Sequence, residues 1–232
     1  MVFFLPHSFI KIMSVHTILL DLDGTLTDPK IGITTCIRYG LAKVGHPIHE
    51  EIDLDWCIGP PLHASLEQLL PPEYQHLTEE ALAGYRERFG DIGLFENEVY
   101  PSVAETLNTL QQQGYALILA TAKPTVYAKR ILEHFGLSPY FTAIHGSELD
   151  GTRTNKGELI AHILHTHDLS ADKCIMVGDR EFDVLGARAN GMPVIGASYG
   201  YGSTAEWQQS PADAQMNTFA DLLNVLEHFQ DA

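Results

Sequence analysis

The chain has 232 residues, 45% of them hydrophobic and 19% charged, which allows one large domain or a domain plus a smaller one, with a sizeable core. Its 30 acidic residues against 14 Lys and Arg give a formal net charge of −16. No basic block or stripe appears, and this argues against a nucleic-acid partner, because phosphate backbones require clustered cations. An acidic chain can still bind a small anion where a metal or a few lysines are focused in one cleft. The cysteines, Cys36, Cys57 and Cys174, are widely spaced and form no CxxC. They suggest neither a disulfide framework nor a zinc site, and fit a reducing cytoplasm. The opening "MVFFLPHSFIKIM" is apolar but interrupted by Pro6, His7 and Lys11. Without a basic n-region or a small-residue cleavage site it reads as a short extension over residues 1–12, or as text upstream of a start at Met13, rather than a signal peptide. No stretch approaches the ~20 apolar residues of a membrane span, so no membrane partner is expected.

In chain order, "TILLDL" (17–22) predicts a buried strand. From Ile31 to about Gly90 the pattern is helical: "IGITTCIRYGLAKVG" ends at Gly45, then come "PPLHASLEQLL" and "TEEALAGYRERFG", the last closing at Gly90. After Tyr100-Pro101 strands and helices alternate. "SVAETLNTLQQQG" predicts a helix with Val103, Leu107 and Leu110 on one face and Gly114 past its end. "YALILAT" (115–121) is a strand, and "PTVYAKRILEHFG" a helix with Pro124 in its first turn and Gly136 past its last. "FTAIHG" (141–146) is a short strand, "NKGELIAHILHTH" a helix, "KCIMVGD" (173–179) a strand, and "REFDVLGARANG" a helix ending at Asn190-Gly191. "PVIGAS" (193–198) is a strand and "TFADLLNVLEHF" (218–229) a final helix. The expected fold is α/β: a Rossmann-like parallel sheet with helices on both faces, plus an all-helical cap. The core takes residues 1–29 and 97–232, and the cap residues 30–96.

Ligands of open α/β sheets bind beyond the C-terminal strand ends. Behind the first predicted strand stand Asp21 and Asp23, and behind the second Thr121 and Lys123. His145, Gly146 and Ser147 end the third, with Lys156 further on; Gly178, Asp179, Arg180 and Asp183 follow the fourth. Four acids converging on one edge would repel one another. A divalent cation resolves this, since Mg²⁺ takes carboxylates, waters and substrate phosphate, and nearby lysines meet the remaining phosphate charge. The residues therefore predict a Mg²⁺-and-phosphate site.

"DLDGTLTD", "LATAK", "TNKGEL" and "GDREFD" resemble, in order, the four motifs of the haloacid dehalogenase superfamily, and the likeness covers nearly the whole chain past Met13. "CIGPPL" and "GARANG" are similar to the phosphoglycolate-phosphatase-like branch with a helical cap. The resemblance implies that Asp21 attacks phosphorus and forms an aspartyl-phosphate, and that Asp23 first protonates the leaving oxygen and then takes a proton from water. It implies that Thr121, with backbone N–H groups such as that of Ala122, holds phosphate oxygens, that Lys156 pairs with Asp21 and the phosphate, and that Gly24 lets the chain turn tightly beside the phosphate. Mg²⁺ is expected on Asp21, the carbonyl of Asp23 and Asp179, with Asp183 supporting it through water or a hydrogen bond. Cap residues 58–63 are expected to help choose the substrate.

The resemblance implies a phosphatase acting on a small phosphorylated metabolite: a phosphoglycolate-like acid, a nucleoside 5′-monophosphate or a sugar phosphate. A β-phosphoglucomutase-type mutase and a silent phospho-ligand-binding protein are the alternatives. A dehalogenase is disfavoured by the second acid of the first motif. Monomer and homodimer are both compatible. Arg180 is expected to touch substrate, to point to solvent or to pair with an acid, Lys123 to close the phosphate pocket or decorate a helix end, and His145 and Ser147 are candidate substrate contacts. His162, His165 and His167 do not share one helix face, so no metal role is assigned to them.

Overall fold

The computed structural model describes residues 15–229; the reading of residues 1–12 lies outside them. The chain begins with β1 (Thr17–Leu20), β2 (Thr27–Asp28), α1 (Lys30–Lys43), α2 (Leu62–Leu69) and α3 (Thr78–Arg88). Then follow β3 (Glu98–Val99), α4 (Val103–Gln112), β4 (Ala116–Pro124), α5 (Thr125–His134) and β5 (Ala143–Ser147). The last third holds α6 (Lys156–Thr166), β6 (Cys174–Gly178), α7 (Glu181–Ala189), β7 (Val194–Ala197), α8 (Thr204–Gln209), β8 (Ala214–Met216) and α9 (Leu222–Glu227).

Six strands form one sheet in the order β5-β4-β1-β6-β7-β8, and each neighbouring pair runs parallel. Both faces are covered. Ile18 and Leu20 of β1 join a core with Val103, Leu107 and Leu110 of α4, Ile131 and Leu132 of α5, and Leu222 of α9. Leu19, between them, packs on the opposite face with Leu159, Ile160 and Ile163 of α6 and Val184 of α7. This period-2 split of an unbroken apolar run is what a strand buried on both sides requires.

The helices α1 to α3 all fall between β2 and β3, which pair antiparallel, Thr27 opposite Val99 and Asp28 opposite Glu98. The insertion therefore leaves and re-enters the sheet domain through one short ribbon. Inside it, α1 and α3 cross at close range. A Cβ on Gly40 would lie 2.4 Å from the Ala81 carbonyl oxygen, so only glycine allows this approach. The helix α3 does not stop at Gly90. It widens into a π turn over Phe89–Gly93, because Gly90 does not adopt the positive φ that would end a helix there. The second predicted strand runs longer, to Pro124, past a register shift after Ala120, and Pro124 caps α5 instead of lying in its first turn. The short α8 and β8 are additional to the predicted elements. Among the described residues, no helix is long and apolar enough to cross a membrane.

Candidate active site

The strand order decides what meets at the sheet edge. Since β1 lies between β4 and β6, with Leu20 opposite both Leu119 and Val177, the residues after these three strands converge. Asp21 continues the ladder through its N–H to the Val177 carbonyl at 2.9 Å. Asp21, Asp179 and Asp183 are buried, and each offers an oxygen within 4.8 Å of the others. Lys156 is the first residue of α6, an unfavourable place for a cation, yet it is buried. Its Nζ lies 2.7 Å from Asp183 Oδ1 and 3.1 Å from Asp21 Oδ1, and donates to the Ala120 carbonyl at 2.8 Å. Burial alone would lower the Lys156 pKa, but Asp183 and Asp21 hold it above the usual lysine value.

One ammonium among three acids leaves excess negative charge. Burial pushes the Asp183 carboxyl up to about 6, against the pull of Lys156. Burial, with repulsion from Asp183 and Asp21, puts Asp179 well above the usual carboxylate range. Asp179 Oδ2 accepts the Tyr201 N–H at 2.7 Å, while its Oδ1 is buried with no hydrogen-bond partner. An orphaned carboxylate oxygen facing two further acids, with oxygen donors only, suits a hard divalent cation. Asp183 also caps α7, its Oδ2 accepting the Arg180 N–H at 3.1 Å, so capping and charge clustering coexist at one residue.

Asp23 stands apart from this cluster. Its carboxylate is held by Lys123 Nζ at 2.8 Å. Burial raises the Asp23 pKa, and Lys123 offsets only part of that rise. Lys123 is therefore no helix-end ornament: it is buried, and its ammonium also lies 4.9 Å from the Phe89 ring centre. Thr121 is buried beside it, its Oγ1 accepting the Lys123 N–H at 3.2 Å. Ser147 donates its hydroxyl to the Ala122 carbonyl at 2.7 Å. Gly24 has φ +78°, and a Cβ there would lie 2.1 Å from Asp179 Oδ2. Its tight turn thus makes room for an acid of the cluster.

Two cavities flank Asp21. One, of about 170 Å³, runs under the insertion past Asp23, Thr121, Lys123 and Ser147 to a wall that includes Tyr85, Phe89 and Tyr127. Tyr85 stacks on Phe89 at 5.0 Å, and Phe89 meets Tyr127 edge-on at 5.4 Å. The other, of about 430 Å³, lies toward the starts of α6 and α7, beside Lys156, Arg180 and Asp183. Gly59, Pro61, Ala122 and Thr154 border both.

The family profile described as haloacid dehalogenase-like hydrolase matches residues 18–197. The chain belongs to this hydrolase family. It is 44% identical over 210 residues to a 5′-nucleotidase of Pseudomonas aeruginosa, covering 90% of this chain and 95% of that one. It is 30% identical over 224 residues to a phosphoglycolate phosphatase of Vibrio vulnificus, covering 91% and 96%. The crystal structure of a "predicted phosphatase" from Clostridium acetobutylicum superposes with a TM-score of 0.85 at 39% identity, covering 92% of this chain and 99% of that one.

Within this member of the haloacid dehalogenase-like family, one expected substrate contact lies elsewhere. His145 lines neither cavity. Its ring turns to α6, with Nε2 2.7 Å from His167 Nε2 and the His162 ring centre 5.6 Å away. Burial and these two imidazoles lower its pKa to about 4. The pairing acid of Arg180 is Glu206 of α8. The loop 198–203 was not picked out by the sequence reading, though it supplies the Tyr201 N–H to Asp179. Its signal was "YGYG", which stands after the fifth predicted strand, at the same sheet edge as the other motifs. A Cβ on Gly200 would meet Asp179 Cβ at 2.3 Å.

Proposed function

We propose that the chain is a Mg²⁺-dependent phosphatase that hydrolyses a small phosphate monoester, with a nucleoside 5′-monophosphate as the favoured class. The observation that carries this reading is the buried Asp21–Asp179–Asp183 cluster, only partly balanced by Lys156 and lying beside a separate Asp23–Lys123 pair. One carboxylate set is arranged to be a charged nucleophile and metal ligand, while the other is tuned toward carrying a proton.

Asp21 attacks phosphorus through its carboxylate oxygen, forming the acyl–phosphate bond as the ester P–O bond breaks. Asp23, whose burial favours the protonated form, gives its proton to the leaving oxygen. It then takes a proton from the water that cleaves the aspartyl-phosphate, releasing inorganic phosphate and restoring both acids. Thr121, the Ala122 N–H and the chain at Gly24 bind the phosphoryl oxygens, and Lys156 balances their charge. Mg²⁺ would be held by Asp21, Asp179 and the Asp23 carbonyl, with Asp183 in support. When bound, it supplies positive charge against the nucleophile and the transferring group.

The leaving-group side favours a nucleoside. Tyr127, the half-buried member of the Tyr85–Phe89–Tyr127 wall, offers an aromatic surface, whereas the basic side chains lining that cavity are engaged: Lys123 with Asp23, Arg86 with the Leu149 carbonyl, His63 with Glu79. A short acid such as phosphoglycolate would need a cation for its carboxylate. The nucleotidase relative supports the same class. All three cysteines are buried free thiols, which supports a reducing cytoplasm as the place of action.

The test is phosphate release from nucleoside 5′-monophosphates, phosphoglycolate and sugar phosphates, with Mg²⁺ and with chelator, for wild type and Asp21→Asn. The expected result is Mg²⁺-dependent release, fastest on nucleotides and absent in the variant. Isomerised sugar phosphate without release would establish the mutase instead. Release unaffected by Asp21→Asn would overturn the nucleophile.

A further inference from the structure

Arg180 follows Asp179 directly and precedes α7. Its side chain is buried and makes two kinds of contact. Nε and Nη2 donate to Glu206 Oε2 at 2.9 Å and Oε1 at 3.0 Å, a bidentate pair. Nη1 donates to the carbonyl of Ile58, on the far side of the site. Glu206 also accepts the Glu181 N–H at 3.3 Å, tying α8 to the start of α7. The guanidinium is thus fixed from the core side, with Nη1 reaching into the cap.

What it reaches is the loop that borders both cavities. Gly59 has φ +105°, and a Cβ there would lie 2.9 Å from Arg180 Cγ and 3.1 Å from Nη1. The backbone of Ile58 and Gly59 therefore rests directly on the arginine, while Gly59 and Pro61 line both cavities together with Asp21. At the rim of the aromatic cavity a second arginine works in the opposite direction: Arg86 of α3 donates to the Leu149 carbonyl of the core at 2.7 Å. Both contacts end on backbone carbonyls. When the cap lifts, water can replace each acceptor, so the contacts are reversible in a way that buried side-chain packing is not.

We propose that Arg180 is a positioning residue: braced by Glu206, it latches the cap loop 58–63 over Asp21, so that closure is read by the same segment that carries Asp179 and Asp183. The catalytic consequence rests on the phosphatase reading above. A latched loop excludes water from the first half-reaction and holds the leaving group in line.

Hydrogen exchange on the intact protein tests the latch without turnover. The amides of Cys57 and Ile58 bond to the carbonyls of Leu54 and Asp55 and report on the loop. In Arg180→Met, peptides covering 54–63 are expected to exchange about fivefold faster or more, with 174–178 unchanged. Gly59→Ala pushes the loop off an intact Arg180–Glu206 pair and should give the same signature, even if Arg180→Met fails to fold. In Arg180→Met, kcat/KM on the best nucleotide should fall about tenfold or more. Faster exchange confined to 181–189 and 203–209 would mean that Arg180 merely braces α7 and α8, and would overturn the latch. Faster exchange at 54–63 with undiminished kcat/KM would overturn its catalytic role. Neither result touches the Asp21→Asn test, so the two readings fail separately.

Discussion

Lys156→Met removes the ammonium that, among the described residues, contacts Asp21 and Asp183, while keeping an unbranched side chain one atom shorter. In the metal-free protein both ion pairs, at 2.7 and 3.1 Å, are buried, with at most 8% of any partner side chain exposed. Removing one partner of a buried pair costs about 3–5 kcal/mol. For a protein of this size that corresponds to a fall in Tm of roughly 6–20 °C. The loss should depend on pH in one direction. The folded-state pKa of Asp183 is about 6, above the usual 3.8. The folded state therefore holds a proton that the unfolded state releases, and stability falls as pH rises through that window. Without Lys156 the upper limit of the window climbs, so the deficit against wild type should grow from about pH 5 to about pH 8, by at most ~1.4 kcal/mol per pH unit for each retained proton. Lys156 itself, whose folded pKa is raised, gives stability that is complete below the unfolded lysine value and lost only above it, outside this range. The assay is thermal unfolding of both proteins in chelator across that range, repeated in excess Mg²⁺, which should recover part of the loss. A deficit below about 1 kcal/mol at every pH, or one that shrinks as pH rises, would refute this account of the cluster.

Further outcomes follow from the same geometry. Lys123→Met removes the cation that lowers the Asp23 pKa, so the acidic limb of the kcat–pH profile should move to higher pH; an unmoved limb would separate Lys123 from the proton transfer. Gly24→Ala drives a Cβ to 2.1 Å from Asp179 Oδ2 and strains the turn by ~1–3 kcal/mol. Activity should fall about a hundredfold, while thermal unfolding shifts only modestly; full activity would show that the Gly24 turn does not position Asp179. Arg88→Met breaks the partly exposed bidentate pair with Glu96, at 2.6 and 2.8 Å. Urea unfolding should show a loss of about 1–2 kcal/mol, and a double-mutant cycle with Glu96→Gln should assign most of it to the pair.

The sheet was legible because β1, β4 and β6 are apolar runs too short for helices, each followed by polar residues that meet at one sheet edge. Reading the ends of successive strands found Asp21, Asp23, Thr121, Asp179 and Asp183 without knowing the strand order. The short β8, "AQM", was not legible: three residues cannot display a period, and one is polar. Lys123 was undervalued because its partner Asp23 lies one hundred residues away in the chain, a distance over which no pattern speaks. The same holds for Arg180, whose partners Ile58 and Glu206 come from the insertion and from an unpredicted helix. His145 reads as a strand-end ligand until the fold turns its ring toward α6. Residues that act through the backbone, such as Tyr201 and the glycines beside it, carry little side-chain signal of their role.

The ribbon of Thr27–Asp28 with Glu98–Val99 bears on how such a protein can change over time. The chain departs for the insertion and comes back at adjoining points, so the closure entropy of the excursion depends only weakly on its length. Helices between those points can be lengthened, replaced or re-angled while the sheet keeps its register and the acids keep their spacing. Descendants of one ancestor can thus keep the sheet-edge acids in place while the helices between the two ribbon strands are remade.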